Sequence, residues 1–91
     1  MFDLTGFQRD LLVTIRNHDG KPSGQTVRRH IEQHVSSVNH GRLYPNLDAL
    51  VDEGLVAKGE KDLRTNAYEV TDDGHAALDE WFEWAESEGE Q

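Results

Sequence analysis

Cysteine is missing altogether from this 91-residue chain. Its absence excludes a disulfide framework and any thiolate metal site. Long hydrophobic runs are missing too: nothing approaches the roughly 20 consecutive apolar residues that span a bilayer, and no signal-peptide pattern opens the sequence. A soluble cytoplasmic protein is the expectation. There is no glycine-rich phosphate loop and no nucleophile motif, and Ser, His and Asp fall in no recognisable catalytic arrangement, so no enzymatic activity is expected. Proline occurs only twice, at Pro22 and Pro45. Internal repeats and low-complexity segments are absent. A chain of this length suggests one small domain with a modest core, to which dimerisation is a natural supplement.

Basic charge is scarce and unevenly placed. The formal net charge is −9, with nine Lys and Arg against 18 Asp and Glu. All nine cations lie between Arg9 and Arg64, and residues 1–64 balance at nine basic and nine acidic side chains; residues 65–91 hold nine carboxylates and no Lys or Arg. Between Lys21 and Leu47 the balance turns positive, with Lys21, Arg28, Arg29 and Arg42 against Glu32 alone. The overall sign argues against nucleic acid, whereas the local sign permits it. Dispersed carboxylates and few lysines also suit a high-salt cytoplasm, where net charge keeps a protein in solution; a plain acidic tail is the alternative.

The hydrophobic spacing predicts four helices and a hairpin. Leu4, Phe7, Leu11, Leu12 and Ile15 share one face of a helix over 4–17, capped by Thr5. His18 to Gly24 reads as a turn. A second helix over 25–34 starts near Ser23 or Gly24 and buries Val27, Ile31 and Val35. A third, over about 37–53, is anchored by Leu43, Leu47, Leu50 and Val51. Ser36, Ser37 and Asn39 are its candidate N-caps and Gly54 its stop. Pro45 lies inside it, so the helix either starts late, near Asn39, or bends. Strands over 55–61 and 66–71 alternate in polarity around a short polar tip. Thr71 then caps a last helix, 72–86, whose first turn carries Asp72 and Asp73. Ala77, Leu78, Trp81, Phe82 and Ala85 form its apolar stripe, flanked by Trp84. Residues 87–91 read as an acidic disordered tail.

That order gives an α+β, mostly helical fold: a winged helix-turn-helix of three helices, a two-stranded wing and a C-terminal helix. The third helix crowds Asn39, His40, Arg42 and Asn46, with Tyr44, at its N-terminal half, as a major-groove reader requires. Two blocks make a resemblance specific. Arg42-Leu43-Tyr44-Pro45-Asn46-Leu47, then Leu50, then Glu53-Gly54-Leu55-Val56, resembles the recognition-helix signature of the PadR family of transcription regulators. Tyr68-Glu69-Val70-Thr71-Asp72-Asp73-Gly74 resembles that family's Tyr-x-Leu/Val-Thr-x-x-Gly ending. The chain departs from the family at Gly24-Gln25, where a Gly-Tyr pair is usual. The resemblance is to short members with one C-terminal helix, and it implies a homodimer on palindromic double-stranded DNA.

The residues expected to touch DNA follow from these elements. Arg42 is the candidate for a bidentate grip on guanine, or for a phosphate contact. Asn39, His40 and Asn46 are candidates for bases or phosphates, and Tyr44 for a phosphate or for packing. Arg28 and Arg29 on the second helix, and Lys58, Lys61 and Arg64 in the wing over 58–66, are candidate phosphate contacts. The dimer interface is expected from Phe2 and Val13 at one end of the chain and Leu78, Trp81, Phe82 and Trp84 at the other, since so large an aromatic load exceeds what one small domain covers. Phe2 and Val13 alternatively face the far side of the core. His30 and His34, spaced i, i+4, lack a third ligand, so no metal or other cofactor is expected. Two other function classes stay open: a winged helix used for protein contact, and a ligand- or metal-responsive sensor.

Overall fold

The computed structural model describes residues 4–62 and 65–89, with only the backbone of 61, 62 and 89. Its elements follow in the order α1 (Gly6–Asn17), α2 (Gly24–Ile31), α3 (His40–Asp52), β1 (Val56–Asp62), β2 (Thr65–Val70) and α4 (Asp72–Gly89). Each helix begins on a side-chain oxygen that accepts from an otherwise orphaned backbone N–H. Thr5 and Gln8 form a reciprocal capping box at α1. Ser23 Oγ accepts from Thr26 N at 3.2 Å, Asn39 Oδ1 from Arg42 N at 2.9 Å, and Thr71 Oγ1 from Gly74 N at 3.1 Å.

The end of α3 is equally defined. Gly54 takes a left-handed φ of 77°, which allows Gly54 N to reach Val51 O and Leu55 N to reach Leu50 O, each at 3.0 Å. This paired closure stops a helix and turns the chain directly into a strand. The strand pairs antiparallel with β2, Val56 opposite Val70 and Lys58 opposite Tyr68, with an irregularity between Glu60 and Asp62. Ser23 bridges to Ala67, and Tyr68 N donates to Pro22 O at 2.9 Å, so the α1–α2 turn serves the hairpin root as a short third strand.

One apolar cluster joins all these parts. Leu11, Leu12, Ile15, Val27, Ile31, Leu43, Leu47, Leu50, Leu55, Tyr68 and Leu78 are buried in it. Helix α1 is central: α2, α3, β2 and α4 all pack on it, while α3 rests also on α2 and β1. The architecture is the α+β, mostly helical winged helix expected from the hydrophobic spacing. No helix among the described residues is long and apolar enough to cross a membrane.

Several boundaries differ from expectation, each for a physical reason. Helix α1 begins at Gly6, because Thr5 holds the extended cap conformation. Helix α2 stops at Ile31, short of 34: Glu32 Oε2 accepts from Val38 N at 2.7 Å, folding the chain back over its own end. Helix α3 begins at His40 rather than 37, since Val38 is fully buried in the core cluster and Asn39, in the extended conformation, supplies the cap. Helix α4 runs to Gly89, beyond 86, because nothing in Glu86-Ser87-Glu88 breaks a helix. Residues 87–89 are therefore helical rather than part of a disordered tail, and 90–91 lie outside the described residues.

Candidate nucleic-acid interface

The first turn of α3 stands exposed. His40 and Arg42 are open to solvent, with Gly41 between them, while Leu43 immediately after them is completely buried. The leucine pins the helix, so its neighbours face outward. Asn39 supplies the cap, which occupies its Oδ1. The His40 ring lies 5.5 Å from that of Tyr44. Arg42 lays its guanidinium over the Phe7 ring, with Cζ 4.0 Å from the centroid; a planar cation is attracted to a ring face in this way.

Two expected readers are largely committed to the fold. Asn46 is half-buried, with Oδ1 accepting from Gln8 Nε2 at 3.0 Å and Nδ2 donating to Arg42 O at 2.8 Å. Its amide ties α3 to α1 instead of facing outward. Tyr44 is half-buried against the core, and its ring lies on the backbone at Gly24, where an added Cβ would come within 2.7 Å of Cε1 and the phenol oxygen. Gly24 is there because Tyr44 needs the space. Together these residues wall a polar cleft of about 380 Å³ between the start of α2, α3 and β2, lined also by Ser23, Gln25, Thr65 and Asn66. The N-terminus of α2 opens on this cleft, and a helix N-terminus carries a partial positive charge. Single-residue pattern reading missed Gln25, Thr65, Asn66 and Gln8. Of these, Gln8 alone had a local signal, its spacing of three from Thr5.

The remaining cations are placed as follows. Arg28 is half-buried, its Nε 3.7 Å from Glu32 Oε2. Arg29 is exposed and reaches Thr26 Oγ1 at 3.3 Å. Lys58 Nζ lies 3.8 Å from Asp48 Oδ1, leaning from the wing onto α3. The Lys61 side chain and all of Arg64 lie outside the described residues. Tyr68, buried from wing strand β2, has its phenol pKa pushed up, first by burial and then by the negative charge of Asp48 and the nearby Tyr44.

The opposite side of α1 carries α4. Leu78, expected at a dimer interface, is 1 % exposed in the single chain. It belongs to the chain's own core, since the apolar stripe of α4 is wide enough to serve both its own domain and whatever covers the rest. Trp81 is half-buried beneath Arg9, whose Cζ is 4.2 Å from its ring centroid. Phe82 at 37 % and Trp84 at 52 % exposure stay open. Val13, Ile31, Val35, Trp81 and Phe82 line a shared groove. Arg16 pairs with Asp79 at 2.8 Å across the α1–α4 seam. Phe2 lies outside the described residues. Among the described residues, no group of three or more His, Asp or Glu side chains is placed to hold a metal ion.

A capped helix presented beside a stitched hairpin, with a third helix behind, defines a winged-helix regulator. Residues 11–80 match the transcriptional regulator PadR-like family, and the chain belongs to that family. Among solved structures it is similar to RosR of H. salinarum in its complex with S1, at 44 % identity and a TM-score of 0.87, covering 94 % of this chain and 76 % of that one. It is similar also to Bacillus subtilis PadR in complex with operator DNA, at 25 % identity and a TM-score of 0.70, covering 86 % of this chain but 48 % of that one. F93 from STIV, a winged-helix DNA-binding protein, shares the fold at 18 % identity and a TM-score of 0.75, covering 91 % and 90 %. No curated protein matches the sequence.

Proposed function

We propose that this protein is a cytoplasmic DNA-binding transcription regulator that acts as a homodimer on a palindromic site. Helix α3 enters the major groove by its first turn, His40 to Arg42. The start of α2 with Tyr44 and Arg29 meets the backbone, and the wing follows the backbone or the minor groove. One observation carries this reading. In a chain of net charge −9, Arg16, Lys21, Arg28 and Lys58 each stand near a carboxylate, yet Arg42 has no acidic partner among the described residues and projects from the exposed turn of the one helix shaped to read. The operator-bound relative from Bacillus subtilis supports the same assignment.

Electrophoretic shift of promoter fragments at matched salt tests it. Arg42→Ala should cost about 1–3 kcal/mol and relax preference at one base pair per half-site. Lys61→Ala and Arg64→Ala should weaken every sequence alike and reduce the salt slope by about one ion each. Folded variants that all shift DNA as the wild type does refute the DNA-reading role of these residues. A second reading, a winged helix used for protein contact, draws on the exposed Phe82 and Trp84. A dimer that shifts no DNA at any salt concentration would favour it.

A further inference from the structure

We propose that Phe7, on the first turn of α1, is the positioning residue that gives Arg42 its specificity: its ring holds the guanidinium in place without offering an oxygen or nitrogen acceptor, so the N–H groups stay available to a base. The inference rests on the DNA-reading function above and assigns a specificity role to a residue that otherwise reads as core. A guanidinium is planar and carries its five donors in that plane. Phenylalanine carries no oxygen or nitrogen acceptor, so contact with its ring ties up none of them in a conventional hydrogen bond. Arg42 makes no side-chain hydrogen bond and no ion pair among the described residues, unlike Arg16, pinned at 2.8 Å by Asp79, or Arg29, bound to Thr26. The Phe7 contact, with Cζ 4.0 Å from the centroid, therefore fixes its direction.

The backbone of Arg42 is held by the same turn of α1. Asn46 Nδ2 donates to Arg42 O at 2.8 Å, and Asn46 Oδ1 accepts from Gln8 Nε2 at 3.0 Å. Gln8 is itself fixed by the capping box with Thr5. Neighbours in the chain, Phe7 and Gln8 thus restrain the two ends of one residue, the ring under its guanidinium and the amide relay on its carbonyl. An arginine restrained in this way loses little freedom when it engages a base, and a misaligned base meets donors that cannot follow it. Phe7 itself is 9 % exposed, so leucine can replace its packing while removing its ring face.

The test uses the intact chain and the duplex it selects from a random DNA pool, with each base pair then varied in turn. Phe7→Leu should weaken the preferred duplex by about three- to tenfold, the range a partly desolvated cation–ring contact supplies, and leave non-specific binding unchanged. The lost preference should fall at the base pair that Arg42→Ala relaxes, and the double variant should bind no worse than Arg42→Ala alone. A uniform loss across sequences, or losses that multiply in the double variant, overturns the proposal while leaving Arg42 as a reader. Unchanged base preference in Arg42→Ala instead removes the reader and the proposal with it. Nuclear magnetic resonance of the unmodified protein gives an independent check: Arg42 side-chain protons should be displaced upfield by the Phe7 ring current, and Phe7→Tyr should keep the displacement. Random-coil positions for those protons in the wild type overturn the assignment even should Phe7→Leu fail to fold.

Discussion

Replacing Gly74 by alanine should lower the melting temperature by about 10–20 °C. Gly74 lies in the first turn of α4, where its N–H is bonded to Thr71 Oγ1. At an open helical position the change would stabilise by up to about 1 kcal/mol. Here an added Cβ collides with the Leu55 carbonyl and stands 2.7 Å from Val70 Cγ1. The valine can turn, but the carbonyl cannot: it accepts from Thr71 N at 3.1 Å, and Leu55 N is bonded to Leu50 O at 3.0 Å. Relief requires α4 to lift from the hairpin, with Thr71 Oγ1 drawn off Gly54 O, its partner at 2.6 Å. Overpacking costs about 1–3 kcal/mol, and a lost hydrogen bond about 1 more. The net is about 2–3 kcal/mol, at roughly 4–8 °C per kcal/mol for a domain of this size. Thermal melts at fixed salt and protein concentration measure it. A Gly74→Ala protein melting within a degree of wild type would refute the idea that backbone contact, rather than a turn requirement, selects glycine in the family block ending here.

Light scattering at micromolar concentration should return twice the 10.3 kDa chain mass, and Phe82→Glu should return a single chain by placing a charge on the exposed aromatic face; a monomeric wild type that binds DNA tightly defeats the dimer. Pro45→Ala supplies the donor that Gly41 O lacks, so the melting temperature should rise while operator affinity falls as the first turn of α3 is re-aimed; unchanged affinity shows that the proline does not set that direction. Tyr68 binds its proton more tightly folded than unfolded, so the stability it contributes is intact below its ordinary pKa of 10.0 and is lost as pH rises through the higher folded value. Urea midpoints should therefore fall less steeply above pH 10 in Tyr68→Phe than in wild type, and parallel limbs would contradict this.

Helices anchored by leucines at helical spacing were legible, because burial of Leu43, Leu47 and Leu50 needs nothing from the rest of the chain to be inferred. The start of α3 was not. Ser36, Ser37 and Asn39 cap equally well in isolation, and the choice falls to Val38, whose burial and bond to Glu32 depend on where α2 ends. Asn46 shows the same gap within the site: on its own helix it sits among the readers, and only the approach of Gln8 turns it inward. Leu78 lies on one stripe with Trp81 and Phe82, and periodicity cannot divide a stripe between a helix's own core and a surface that it leaves open. Tyr44 on its own helix fits either packing or a phosphate contact, and the close approach at Gly24 that seats its ring involves residues far apart in sequence.

The bond from Tyr68 N to Pro22 O has a consequence for the order of folding. A β-hairpin closes quickly, since its strands are neighbours in sequence. Here the outer edge of β2 at Ala67 and Tyr68 finds its partners only when a turn from the other half of the chain arrives. The wing is then no independent folding unit, and its inner strand belongs to the same cooperative unit as α1 and α2. Amide hydrogens report this directly. Tyr68 N–H should exchange with deuterium only through global unfolding, at the pace of the core helices, whereas amides nearer the hairpin tip exchange by local opening. A hairpin tied to the α1–α2 turn in this way keeps its base fixed, so the angle between β2 and the helices belongs to the fold of the chain itself.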